Sequence, residues 1–108
     1  MKEFSGLVLC DSRSERVDTH VRASLLGGAL HISAQDLGPF VEEFWGDLDY
    51  EYYYDLTPKN TARLLEVIGG KEDPEKAVLE NFGGDDGCRR FREICEENDI
   101  PYKFYSYV

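Results

Sequence analysis

The apolar positions of this chain change their period part-way along it, and the change predicts where strands give way to helices. Phe4 to Cys10 contains the run Leu7, Val8, Leu9 and stops at Asp11, Ser12, Arg13, Ser14, a polar cluster that reads as a turn after a first strand. From Arg16 the alternation is strict. Val17, Thr19, Val21, Ala23 and Leu25 share one side, while Arg16, Asp18, His20, Arg22 and Ser24 share the other, as in a half-buried strand. Gly27 and Gly28 both tolerate positive φ and suit a two-residue hairpin, so the next strand begins at Ala29. Pairing Leu26 with Ala29 sets Leu25 opposite Leu30 and Ala23 opposite Ile32, which keeps the apolar side chains of both strands on one face.

Proline in Asp36, Leu37, Gly38, Pro39 predicts a short helix from Pro39 to about Trp45, stopped by Gly46. Asp49 to Leu56 returns to strand, with Tyr50, Tyr52, Tyr54 and Leu56 on one side and Asp49, Glu51, Tyr53 and Asp55 on the other. Thr57 and Pro58 open a helix whose apolar stripe is Leu64, Leu65, Val67 and Ile68, ending at Gly69 and Gly70. Asp73 and Pro74 open a shorter one, with Val78, Leu79 and Phe82 inside and Gly83 as its stop. Cys88, Phe91, Ile94 and Cys95 mark a third helix up to about Asn98, and Pro101 opens a closing strand in which Tyr102 and Phe104 alternate with Lys103 and Tyr105. The order predicts an α+β fold: an antiparallel or mixed sheet of about five strands with helices packed on one face, a two-layer sandwich. Strand order is left open beyond the Gly27–Gly28 hairpin.

Length and composition make this one domain over residues 1–108, since 108 residues with 42% hydrophobic content can build a single core and not two. No apolar run is long enough to span a bilayer, and the start of the chain lacks a signal-peptide pattern, so no membrane partner is expected. Cys10, Cys88 and Cys95 are odd in number and without paired spacing, which argues against a disulfide framework or a zinc site and fits a cytoplasmic protein with buried thiols.

Charge changes the picture more. The net charge of −10 disfavours nucleic acid as a ligand, and its distribution is uneven. Residues 1–34 balance to zero and 59–108 carry −3, so −7 lies between Gln35 and Pro58, a stretch that also holds seven of the fourteen aromatics. Glu51 and Asp55 would stand in one row with Asp49 and Tyr53, with Glu42, Glu43 and Asp47 nearby. Such a row of like charges suits a basic protein partner, with Tyr53 and Trp45 as aromatic anchors. The candidate partner-binding residues are therefore Glu42, Glu43, Trp45, Asp47, Asp49, Glu51, Tyr53 and Asp55. A charged face kept for solubility is the alternative.

Other chemistry is weaker. Asp47, Asp49 and Glu51 have the spacing of the first ligands of a calcium loop, but Tyr52 and Pro58 occupy the places that need glycine and glutamate, so no metal or cofactor is expected. His20 and His31 lie roughly 13 Å apart in the hairpin register at about 3.3 Å per residue, too far to share an ion. Arg89, Arg90 and Arg92 follow a glycine-rich turn where an anion could sit, yet Arg89 with Glu93 and Arg92 with Glu96 make ordinary helical pairs, and a solvated face is favoured. No nucleophile or oxyanion donor stands out, so an enzyme is not expected.

Gln35 through Tyr52, reading Q-D-L-G-P-F-V-E-E-F-W-G-D-L-D-Y-E-Y, resembles a segment of a family of small bacterial proteins of unknown activity. Thr57 to Gly69 and the ending Ile100, Pro101, Tyr102, Lys103, Phe104 fit the same resemblance, which implies a bacterial origin and one intact domain. By type, the chain is also similar to the immunity proteins of contact-dependent growth inhibition and polymorphic toxin systems, small acidic inhibitors of toxins. That likeness implies binding and neutralising a basic toxin, such as a nuclease; a general protein-interaction or regulatory module is the second reading and a small enzyme the third. The sheet face opposite the helices is open to water or available for a homodimer.

Overall fold

The computed structural model describes residues 2–13, 18–38 and 49–107, with Asp49 entering through its backbone alone. These residues form an α+β structure: a five-stranded antiparallel sheet in the order β1-β2-β3-β4-β5, with three helices. The strands are β1 (Phe4–Arg13), β2 (Asp18–Leu26), β3 (Ala29–Leu37), β4 (Asp49–Asp55) and β5 (Lys103–Tyr107). The helices α1 (Pro58–Ile68), α2 (Pro74–Phe82) and α3 (Gly87–Glu97) fall between β4 and β5.

The hairpin register is the one the sequence predicts: Leu26 pairs with Ala29, Leu25 with Leu30 and Ala23 with Ile32. Gly27 and Gly28 have φ of 59° and 78°, the left-handed pair that a tight hairpin with the natural strand twist requires. β1 runs three residues further than expected, because Asp11, Ser12 and Arg13 pair with His20, Thr19 and Asp18 rather than forming a turn; two of these pairs set an acid against a base or a histidine. β3 likewise continues through Asp36 to Leu37, held there by its pairing with both β2 and β4. The helix expected over Pro39 to Trp45 lies outside the described residues.

Alternation delivers one buried face. Val21, Ala23 and Leu25 from β2, Leu30, Ile32 and Ala34 from β3, and Tyr54 from β4 are buried beneath the helices, as is Leu56 just beyond β4. The helices begin and end where their caps dictate. The Thr57 side chain accepts from the Asn60 N–H at 3.2 Å, Asp73 accepts from the Lys76 N–H at 3.2 Å, and Gly69 closes α1 at a φ of 70°. Leu64 and Leu65 of α1, Ala77, Val78 and Phe82 of α2, and Phe91 and Cys95 of α3 complete the core. Val67 and Leu79, expected inside, are 46% and 45% exposed. Leu79 lies about 100° around its helix from buried Val78, and Val67 lies beyond the buried Thr61, Leu64 and Leu65 of α1, so the buried stripe is narrower than the apolar one.

Two close approaches fix the helical layer. A Cβ on Gly87 would fall 1.8 Å from the carbonyl oxygen of Phe82, so only glycine lets α3 start against the end of α2. The Arg90 guanidinium then ties the two together, donating to the Asn81 carbonyl at 2.7 Å and also to the carbonyl of Gly83 and the carboxylate of Asp86. Arg92 does not pair with Glu96. It donates to the Tyr54 hydroxyl at 2.6 Å, while Glu96 accepts from Tyr102. The arginine cluster is thus divided: Arg89 makes the expected exposed pair with Glu93, and its two neighbours brace the core.

Candidate functional site

The sheet face away from the helices is built from the other half of each alternation: His20, Arg22 and Ser24 on β2, His31, Ser33 and Gln35 on β3, Glu51, Tyr53 and Asp55 on β4, and Lys103, Tyr105 and Tyr107 on β5. None of these side chains is buried. Glu51, Tyr53 and Asp55 therefore stand in one row, as alternation predicts, and Asp49 continues the register opposite Leu37. Glu42, Glu43, Trp45 and Asp47 lie outside the described residues.

The row is not a bare line of repelling carboxylates. Glu51 accepts from the Tyr53 hydroxyl at 3.0 Å and from the Gln35 side-chain amide at 3.5 Å. Asp55 lies in hydrogen-bond contact with Nδ1 of His31 and accepts from the Tyr105 hydroxyl, whose pKa is raised by burial and by that hydrogen bond. Such donors spread the charge and lower the repulsion between neighbouring acids, and each carboxylate, with about four lone-pair positions, keeps room for further donors.

Tyr53 is the hub of an aromatic group. Its ring stacks on Tyr105 at 5.0 Å and on His31 at 5.7 Å, and Tyr107 meets it edge-on at 6.0 Å. Tyr105, Tyr107 and His31 were not predicted members. Their residue types and alternation are visible in the sequence, but only the pairing of Tyr53 with Tyr105 and of His31 with Asp55 brings them together. In the opposite row of the same strand, which the alternation places on the side of Leu56, Tyr54 is buried, whereas Tyr50 and Tyr52 are half-buried.

Across β2 to β4 the face is hollowed by about 130 Å³, lined by His20, Arg22, Gln35, Glu51 and Tyr53 among others. Small-molecule sites usually occupy roughly 300–1,000 Å³, so this hollow is sized for a single side chain. His20 is engaged by Asp11 at 2.8 Å and is separated from His31 by the length of the hairpin register. Among the described residues no group of three or more His, Cys, Asp or Glu could hold a metal ion.

The thiols stand elsewhere, beneath the helical layer. Burial pushes Cys88 up to about 11 and Cys95 up to about 12, and burial with the Asp85 contact raises Cys10 as well, so all three are held protonated and weakly nucleophilic at neutral pH. No helix among the described residues is long and apolar enough to cross a membrane. Comparison with family models, with curated proteins and with solved structures found no match.

Proposed function

We propose that this chain is a protein-binding domain that receives a basic partner on the β4–β5 half of the sheet face away from the three described helices, in the manner of an inhibitor that neutralises a toxin. The observation that carries the reading is the row Glu51, Tyr53, Asp55 packed against Tyr105 and His31 on an unburied face. Rigid tyrosines offer large contact area at low entropic cost, and carboxylates held by hydrogen bonds are oriented before a partner arrives. A net charge of −10 would speed encounter with a positively charged surface. The hollow beside Glu51 would admit one basic side chain.

The test is capture of proteins from the native cell on the immobilised chain, in parallel with a Glu51→Ser, Asp55→Ser, Tyr53→Ala variant shown to be folded. A basic protein held by the parent, released by salt and lost from the variant supports the assignment. A partner retained equally by both overturns it. Toxin neutralisation is then read by co-expression: the captured partner should arrest growth alone and fail to do so beside the parent chain.

A further inference from the structure

We infer that the partner engages this face through an extended segment that adds as a further strand alongside β5, with Lys or Arg over Tyr105 and Tyr107 and apolar residues over Phe104. The inference deepens the proposed function and rests on its assignment of a basic partner.

Among the described residues the strand order leaves β1 and β5 as the two edges, and they are treated differently. β1 has register irregularities between Phe4 and Leu7 and between Val8 and Cys10, with Gly6 at a φ of 64°. The carbonyl of its bulged Leu9 accepts the Gly84 N–H at 2.9 Å, so the α2–α3 turn is tied to that edge. Bulges and covering loops are how sheets block further pairing. β5 carries neither. Its five residues follow β4 in unbroken register from Asp55↔Lys103 to Glu51↔Tyr107, with no proline and with Lys103 as its only charge. An edge strand leaves the N–H and C=O groups of alternate residues without a ladder partner, which is what strand addition uses.

The side chains state the partner's chemistry. Phe104 and Tyr107 are 47% and 62% exposed. On the side away from the described helices Tyr105 and Tyr107 meet edge-on at 6.2 Å, and the ammonium of Lys103 already lies 5.3 Å from the Tyr105 ring centre, so a cation fits over this edge. Glu51 and Asp55 stand one strand behind, about 10 Å from an added strand, within reach of a long basic side chain laid across β5. On the helix side the exposed ring of Phe104 would take an apolar residue. A segment alternating basic and apolar residues satisfies both sides. A second copy of β5 would bring one lysine per strand and join two chains of net charge −10.

The experiment titrates the ¹⁵N-labelled chain with acetyl-Lys-Val-Lys-Val-Lys-Val-Lys-amide, with the same peptide carrying Glu for Lys, and with versions N-methylated on alternate backbone nitrogens in either register. The expected result is amide shifts and slowed hydrogen exchange centred on residues 103–107. Binding should weaken at least about tenfold for one N-methylated register, the loss that one or two ladder bonds represent, and likewise for the Glu peptide, which sets like charges against Glu51 and Asp55, and for Tyr107→Ala, which removes the ring under the cation. Equal binding by both N-methylated peptides overturns strand addition. Shifts confined to Arg22, Ser33, Gln35 and Glu51, without slowed exchange in β5, overturn the edge and leave the basic partner standing. Equal binding of the Glu peptide overturns the basic partner and leaves the edge. Absence of binding by every peptide overturns the proposal, as does a dimer in sedimentation that Tyr107→Lys abolishes, since the occupant is then a second copy.

Discussion

The guanidinium of Arg92 donates a 2.6 Å hydrogen bond to the hydroxyl of Tyr54, a residue that is 2% exposed on the buried face of β4. This bond allows a tyrosine to sit where phenylalanine would be the simpler choice: the polar tip is satisfied from α3 while the ring packs on Phe91 at 5.3 Å and Phe104 at 5.1 Å. Burial raises the Tyr54 pKa and the arginine opposes that rise, so the phenol stays a neutral acceptor at physiological pH.

Removing one partner should therefore cost more than removing both. Arg92→Met leaves the buried hydroxyl unpaired and should destabilise the fold by about 1–3 kcal/mol, whereas adding Tyr54→Phe should restore part of that loss. Urea unfolding of the two single variants and the double variant gives the coupling directly. Equal stability of Arg92→Met and the parent would remove the bond from the account.

Thr61 is fully buried on α1, and its Oγ1 accepts the Leu30 N–H at 3.0 Å where β3 begins. Thr61→Val keeps the shape and deletes the acceptor, so it should cost about 1–3 kcal/mol through the orphaned amide. Hydrogen exchange at Leu30 should quicken more than at Ile32, which keeps its ladder place opposite Ala23. Uniform quickening would point to general loosening instead.

Two carboxylates should give stability opposite slopes with pH. Burial holds Asp36 above the ordinary carboxylate range, against the hydrogen bond from Thr19 at 3.0 Å. The folded chain binds this proton more tightly than the unfolded chain, so its contribution favours folding in acid and is lost as pH rises through the folded value. The Arg90 hydrogen bond holds Asp86 below that range, so its contribution is present above about pH 4 and lost as pH falls through the folded value. Asp36→Asn should raise the urea midpoint at pH 7 and flatten its fall above pH 4; Asp86→Asn should lower it at pH 7. A lower midpoint for Asp36→Asn at pH 7 would contradict the assignment.

The thiols provide a direct measure of packing. With Cys88 pushed up to about 11 and Cys95 up to about 12 by burial, an aromatic disulfide reagent at pH 7 should label them at a rate limited by opening of the fold. Labelling should become complete at once in denaturant. Rapid stoichiometric labelling of the native chain would show that the helical layer does not seal them.

What the sequence by itself determined was local. Period-two alternation assigned each strand residue to a face, Gly27 and Gly28 set the hairpin register, and Thr57, Asp73, Gly69 and Gly83 marked helix ends, because these signals depend on φ, on capping and on immediate neighbours. Glu51, Tyr53 and Asp55 were legible as a row for the same reason. The tertiary structure decided everything that depends on residues far apart in the chain. It turned Asp11–Arg13 from a turn into strand by giving them partners on β2, and drew Arg92 away from Glu96 to a buried hydroxyl 38 positions away. It also placed β5 beside β4, so that Tyr105 and Tyr107 join Tyr53 in one aromatic surface. Strand order is a long-range choice made by the closure of the core, and the carboxylate row acquired its aromatic neighbours only through it.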